Sequence, residues 1–391
     1  MKILIANPGS TSYKCKLYDM QAEKILFQAG VEKIGDKQAI VSFRTSGGEW
    51  QSEICPVSDY VAAVNLTISR LKEIITMDDI AGIGFKTVLA KGVSGCVELD
   101  DEVLAAMRAF QPVAPVHTEV YLTAISVFKQ LLPDKPLIGL FETAFHDTIP
   151  EEAYLYGIPY EYYQKYGIRR YGFHGASHRY IMTYIREKYH QDQSNFKLIS
   201  CHLGGSSSLC AIRDGISVDT SMGMSPQSGL LNAKRTGDLD TFALLYLMEV
   251  ENLSIDKARD ILIKQSGVHG ISGVSGDFRD IEEAMRSGNR RAEAAFNTYA
   301  YYVKRYIGEY FAILNGCDYI VFTGGLGQNS PSMRSKILAG MNNLGIVVDN
   351  EKNAGTMDEG VLSGDDAPVT ICVVPTNEEL IVARAVRDYL A

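Results

Sequence analysis

K-L-I-S-C-H-L-G-G-S-S-S-L-C-A-I, residues 197–212, is the stretch whose reading decides the fold. An apolar run meets His202, two glycines and three serines, and a second apolar run leaves them. This is the pattern of strand, tight turn, strand. Gly204 and Gly205 let the main chain turn and let a ligand approach it closely. Ser206, Ser207 and Ser208 add hydroxyls beside exposed N–H groups, a surface suited to phosphate oxygens. The chain opens the same way. K-I-L-I-A-N-P-G-S-T-S-Y-K-C-K-L-Y, residues 2–18, runs from a strand through Gly9, Ser10, Thr11 and Ser12 into another strand. Y-I-V-F-T-G-G-L-G-Q-N, residues 319–329, is a third strand running into glycines. A single turn of this kind reads as an ordinary hairpin. Three of them, each fed by a β-rich strand, point to a nucleotide site.

The 391 residues exceed what one compact core usually spans, so two domains are expected. Apolar residues make up 46% and charged residues 22%, the balance of a soluble globular chain. The net charge of -9 (38 basic, 47 acidic) and the lack of any basic block argue against nucleic acid or an anionic membrane as partner. Cys15, Cys55, Cys96, Cys201, Cys210, Cys317 and Cys372 are scattered with no C-x-x-C pair, so neither a zinc site nor a disulfide framework is indicated. They read as thiols of a reducing compartment. The chain enters its first strand without a leader-like run, and its most apolar helical stretch, 241–250, is too short to span a bilayer. The cytoplasm is the expected location.

In chain order, the opening to residue 55 is strand-rich. A helix is expected over 58–75, a strand over 80–90, a helix over 100–110 stopped by Pro112 and Pro115, and a buried strand over 137–141. The order then repeats. A helix over 177–189 precedes the strands of 197–221. Helices follow over 238–250 and 254–266, and a long amphipathic one over 292–314 carries Phe296, Tyr299, Val303, Ile307, Tyr310 and Leu314 on one stripe. A strand over 319–323, a helix from 330, a strand over 369–374 and a closing helix over 378–389 complete the chain. The expected domains are 1–149 with 376–391, and 150–375. Two units that each begin with a strand and a Gly-Ser turn suggest an internal duplication, with ATP between two facing phosphate turns.

His174, in R-R-Y-G-F-H-G-A-S-H, is either a structural turn residue or an imidazole donor to developing negative charge. Arg235, in A-K-R-T-G-D-L-D, is either half of a local Arg–Asp pair or a planar fork for phosphoryl oxygens. Glu142 ends a buried strand as a cap, an ion-pair partner or a functional carboxylate. Asp277, Phe278 and Arg279 form either a surface pair around a core ring or an adenosine clamp. Glu378 and Glu379 open a helix, where acids are favoured, or supply a carboxylate to magnesium.

With these motifs assembled, the chain resembles the acetate kinase family, within the acetate and sugar kinase/heat-shock/actin superfamily. The resemblance rests on N-P-G-S-T-S-Y-K (7–14), A-P-V-H (114–117), F-E-T-A-F-H (141–146), R-R-Y-G-F-H-G-A-S-H (169–178) and H-L-G-G-S-S-S (202–208). It continues through D-T-S-M-G-M-S-P (219–226), K-R-T-G-D-L-D (234–240), S-G-D-F-R (275–279), F-T-G-G-L-G-Q-N-S (322–330) and P-T-N-E-E-L (375–380). It implies an α/β, duplicated two-domain actin-like ATPase fold with an interdomain cleft. It also implies reversible transfer of the ATP γ-phosphoryl group to acetate or another short-chain carboxylate, giving an acyl phosphate and ADP, and a homodimer.

By the same resemblance, Asn7 and Glu378 would hold Mg2+, and Ser10, Ser12 and Lys14 would contact ATP. His202, Leu203, Gly204, Gly205 and Ser206 would meet the phosphates. Asp277, Phe278 and Arg279 would hold adenosine, with Gly325, Leu326, Gly327, Gln328 and Asn329. His174 and Arg235 would stabilise the transition state, and Glu142 stands at the position of the family's catalytic acid. Lys86, Val88, Val116, His117, Phe173 and Pro226 would receive the acid. Such transfer needs mainly positioning and neutralisation of charge.

The chain departs from the family pattern at the acid. Where the family has G-H-R-V-V-H-G-G, residues 84–91 read G-F-K-T-V-L-A-K, so the substrate arginine is Lys86, a point charge without the bidentate fork. The family's aspartate is Glu142, one methylene longer. H-N-P-P is H-T-E-V at 117–120, H-L-G-N-G is H-L-G-G-S at 202–206, and G-I-G-E-N is G-L-G-Q-N at 325–329. Lys86 and Glu142 read as a paired substitution facing each other across the carboxylate site. A propionate or butyrate kinase, another phosphoryl donor, and a non-catalytic nucleotide-binding member stand as alternatives to acetate.

Overall fold

The computed structural model describes residues 1–9, 11–189, 195–356 and 358–391, and all their side chains except those of Val116 and His117. The chain divides into two units, Met1–Ala144 with Asn377–Ala391, and Phe145–Thr376.

The first unit holds strands β1 (Lys2–Gly9), β2 (Ser12–Asp19), β3 (Lys24–Glu32), β4 (Ala39–Thr45), β5 (Gln51–Cys55), β6 (Ile80–Thr87), β7 (Cys96–Glu98) and β8 (Leu137–Phe141). They form one sheet in the order β5-β4-β3-β2-β1-β6-β8-β7. The second unit holds β9 (Lys197–His202), β10 (Ser208–Arg213), β11 (Ile216–Thr220), β12 (Tyr319–Thr323), β13 (Gly360–Val361) and β14 (Thr370–Val373), ordered β11-β10-β9-β12-β14-β13.

The duplication is visible in these orders. β3-β2-β1 is an antiparallel meander, then β6 and β8 continue in parallel and β7 closes antiparallel. β11-β10-β9, β12, β14 and β13 repeat that sequence of directions. The parallel strands read as unbroken apolar runs because both faces are covered. In the second unit, Ile199, Leu209, Ala211, Ile320 and Phe322 pack towards the helix Arg290–Leu314. Their strand neighbours Leu198, Cys210, Ile212 and Val321 pack with Ile181 and Ile185 of the helix Gly175–Tyr189. This two-residue alternation is what a strand buried on both sides requires.

The stripe expected on the long helix is buried throughout, and Asn289 caps its start by accepting from the Arg291 and Ala292 N–H groups. Truncating Ile307, fully buried at its centre, to Ala would cost about 2–5 kcal/mol. The closing helix Glu378–Leu390 belongs to the first unit and lies against β1, β6 and β8.

Three local expectations are corrected. The helix expected over 100–110 does end before the prolines, at Ala109, but Pro115 also takes the first position of an unexpected helix, Pro115–Leu131, where its missing N–H costs nothing. The 254–266 helix breaks into Ile255–Asp260 and a π-helical turn, Ile261–Gln265. The glycine turn expected after β12 is instead a short helix, Gly324–Asn329. Gly324, at φ +77°, begins it, and a Cβ there would sit 2.5 Å from the Leu203 carbonyl oxygen, so only glycine fits. No helix of the described residues is long and apolar enough to cross a membrane.

Candidate functional site

In the second unit a cleft of about 600 Å³ opens where two glycine segments meet. The turn between β9 and β10 contributes Gly204 and Gly205, and the short helix after β12 contributes Gly325, Leu326 and Asn329. The Leu203 carbonyl accepts from the N–H groups of Leu326 (3.0 Å) and Gly327 (3.2 Å), fastening one segment to the other. Asp277, Phe278 and Arg279 line the far wall, with Glu282 and Ser330, which the sequence reading did not single out.

Not every expected ligand contact points its side chain into this cleft. Leu203 is fully buried in the core, leaving only its backbone for a ligand. Phe278 packs edge-on against Tyr299 at 4.6 Å. Asp277 caps the helix Phe278–Arg286, and Arg279 pairs with it at 2.5 Å on the surface, which holds the Asp277 carboxyl below its ordinary range. Gly327 and Gln328 offer their carbonyls to the buried Arg334 guanidinium at 2.9 and 2.6 Å. Arg334, hidden in sequence inside an ordinary helical pattern, is what holds the glycine helix in place.

Arg235 lies at the rim of the β9–β10 turn. Its Nη1 donates to Ser206 Oγ at 3.1 Å and to the Pro226 carbonyl at 3.4 Å; the local Arg–Asp pair is not what its side chain forms. Its loop is held by backbone bonds from Asn232 N to Arg235 O (3.1 Å) and Val268 N to Asn232 O (3.0 Å). Gly267, at φ +65°, makes this possible, since a Cβ there would stand 2.2 Å from the Asn232 oxygen. Burial pulls the guanidinium pKa down, yet the group remains a cation at neutral pH.

His174 sits beside the same turn with φ 57°, in the left-handed region. Its ring stacks on His202 at 4.3 Å, so the structure brings together two histidines 28 positions apart. His174 Nδ1 meets Ser208 Oγ at 2.8 Å, and His202 Nδ1 meets Ser177 Oγ at 2.8 Å. Phe173 and Pro226 are buried in this unit.

The first unit gathers the charged residues. Lys86 is the last residue but one of β6, Glu142 follows β8 and Glu378 opens the closing helix. Lys86 Nζ lies 3.2 Å from Glu142 Oε1 and also pairs with Glu378 Oε2. Burial opposes the lysine's charge, but the two carboxylates outweigh it and hold its pKa well above the ordinary lysine range. Asn7, near the end of β1, is paired in register with Lys14 of β2. Lys14 itself faces the open polar side of the sheet, in a cavity of about 510 Å³ with Lys16, Trp50 and Glu379. Val88 is buried after β6, and the Ser12 carbonyl accepts from Tyr60 at 2.8 Å. Ser10 lies outside the described residues. Val116 and His117 belong to the helix Pro115–Leu131, but their side chains lie outside the description.

Among the described residues no group of three His, Cys, Asp or Glu side chains is arranged as a metal cage. Glu378 and Asn7 instead offer one carboxylate and one amide oxygen. Such a sparse, hard donor set suits Mg2+ that is completed by substrate phosphates and water. The Lys86 ammonium already stands at Glu378 as a cation.

The sequence matches the model of the acetokinase family over residues 2–384. It is 42% identical to the acetate kinase of Natranaerobius thermophilus over 396 aligned positions, covering 100% of both chains. Among solved structures it is similar to Porphyromonas gingivalis acetate kinase (TM-score 0.89, 38% identity, 100% of each chain). It is also similar to a propionate kinase from Francisella tularensis subsp. tularensis SCHU S4 (TM-score 0.90, 31% identity, 98% of each chain). The α/β fold with its repeated mixed sheets is thus the fold of those enzymes, and the chain belongs to the acetokinase family of carboxylate-kinase phosphotransferases.

Proposed function

We propose that the protein reversibly transfers the γ-phosphoryl group of ATP to a short-chain carboxylate, with acetate the first choice. A carboxylate oxygen attacks the γ-phosphorus, the bond to the β–γ bridging oxygen breaks, and ADP and an acyl phosphate leave. The nucleophile is already an anion, so no strong base is needed; the barrier is one of alignment and charge. The observation that carries this reading is the Arg235 guanidinium, 3.1 Å from Ser206 in the glycine-serine turn, where γ-phosphoryl oxygens would lie.

In this reading His174 donates to the same oxygens, and the Gly204, Gly205 and Gly325–Asn329 segments hold the nucleotide. Asn7 and Glu378 would hold Mg2+, which when bound neutralises phosphate charge. Lys86 receives the acid's carboxylate as a point charge, with Glu142 setting its position. A single ammonium fixes a carboxylate less tightly than a guanidinium fork does. That favours tolerance of acids beyond acetate, propionate and butyrate included.

We further propose a homodimer in the cytoplasm. The helix Thr241–Val250 has no buried residue and exposes Phe242 at 75% and Tyr246 at 68%, a stripe suited to a second copy of the chain. Trapping acyl phosphate as hydroxamate across C2–C5 acids with ATP tests the activity. Product with acetate supports it, and no product with any acid, despite ATP binding, overturns it.

A further inference from the structure

Behind His174 lies a buried line of histidines and serines that the phosphoryl-transfer scheme does not use. His178 Nδ1 meets Ser200 Oγ at 2.9 Å, and His178 Nε2 meets Ser208 Oγ at 2.8 Å. Ser208 Oγ is in turn 2.8 Å from His174 Nδ1. Ser200, Ser208 and His178 are all fully buried. Burial and the neighbouring His146 and His202 rings push the His178 pKa well down, so its ring is neutral.

A neutral ring has one donor nitrogen and one acceptor, and each hydroxyl has one proton. The line therefore runs in one of two directions, because two rings donating together into Ser208 would leave the fully buried Ser208 proton without the acceptor that His174 Nδ1 supplies. If His178 donates to Ser200, the fully buried Ser200 proton needs another acceptor, and His178 is the partner the described residues give it. Leaving that donor unmade costs about 1–3 kcal/mol. In the other direction every proton is used. Ser200 donates to His178 Nδ1, His178 Nε2–H donates to Ser208, and Ser208 O–H donates to His174 Nδ1.

We infer that Ser208 and His178 are positioning residues that lock His174 in the Nε2–H tautomer, making it a standing donor. The backbone is held by the same kind of contact. His146 Nε2–H donates to the Phe173 carbonyl at 3.0 Å, immediately before His174, while Ser217 donates to His146 Nδ1 at 2.9 Å. A lone histidine has no fixed tautomer; this one receives its proton pattern from a strand 34 positions away.

The inference rests on the kinase reading only for what the Nε2–H is used for; the tautomer can be measured without any reaction. The full-length protein is labelled with 15N-histidine and long-range 15N–1H correlations are recorded at pH 8, with His174→Asn assigning the signal. Asn tolerates the left-handed backbone at that position. A protonated Nε2 and an unprotonated Nδ1 are expected for His174. Ser208→Ala should convert this to a mixture of tautomers and lower kcat with the KM for ATP unchanged, and Ser208→Thr should restore both. An Nδ1–H tautomer or a mixture in the wild type would overturn the inference, as would a pattern that Ser208→Ala leaves unaltered. A correct tautomer in a protein that phosphorylates no acid would instead refute the kinase reading alone.

Discussion

Lys86 Nζ lies 3.2 Å from Glu142 Oε1, so the end of β6 and the residue that follows β8 are joined by an ion pair. Glu378 completes the cluster on the other side. One half-buried ammonium thus holds two carboxylates, and removing it would take a shared cation from both.

Lys86→Met should therefore destabilise the protein by about 3–5 kcal/mol, read by urea unfolding at neutral pH. Mg2+ should recover part of that loss, because a cation bound at Glu378 replaces the missing one and binds only the folded chain. Unchanged stability would mean that the cluster is not the anchor described here. Lys86→Arg, which keeps the charge and adds a fork, should shift preference among C2–C5 acids. Identical selectivity would remove Lys86 from the acid site.

The buried His146 ring gives a pH dependence with a definite sign. Burial pushes its pKa from 6.5 to about 4, against the hydrogen bond that its Nε2–H donates to the Phe173 carbonyl, which acts the other way. The unfolded chain takes up a proton at this residue between those values while the folded chain does not. Its contribution is fully present above pH 6.5 and is lost as pH falls towards 4, at about 3 kcal/mol in all. Asp219, pushed up to about 6 by burial despite Arg170, tilts the same range in the opposite sense. Unfolding wild type and His146→Asn at several pH values isolates the histidine. The variant should lose less stability on acidification, and parallel curves would rule the effect out.

The exposed helix Thr241–Val250 makes a prediction about assembly. Phe242→Asp combined with Tyr246→Asp should leave folding intact, since both side chains are exposed, and should convert a dimer to a monomer in light scattering. A dimer that survives the pair would place its interface elsewhere.

Much of the fold could be read from local pattern. The repeated strand-turn-strand segments, the stripe on Arg290–Leu314 and the closing helix all carry their periodicity in the residues themselves. The helix Pro115–Leu131 was hidden because a proline signals either the end of one helix or the start of the next. The glycine run 324–329 looked like a turn because its helical form depends on the Leu203 carbonyl, more than a hundred residues away. The site divides in the same manner. Motifs identified His174, Arg235 and Glu142, but the Ser200–His178–Ser208 line follows from the register of β9 on β10 and the left-handed backbone at His174. Arg334 has no motif at all; its role comes from the carbonyls that converge on it.

The central claim is that the Arg235 cation at the glycine-serine turn meets the phosphoryl group in transit. Measuring turnover and ATP affinity of Arg235→Ala side by side tests it most directly. Turnover should fall by about 10³-fold or more while the ATP dissociation constant stays near that of the wild type. Turnover close to wild type would contradict the account, as would a loss of ATP affinity large enough to explain the whole defect.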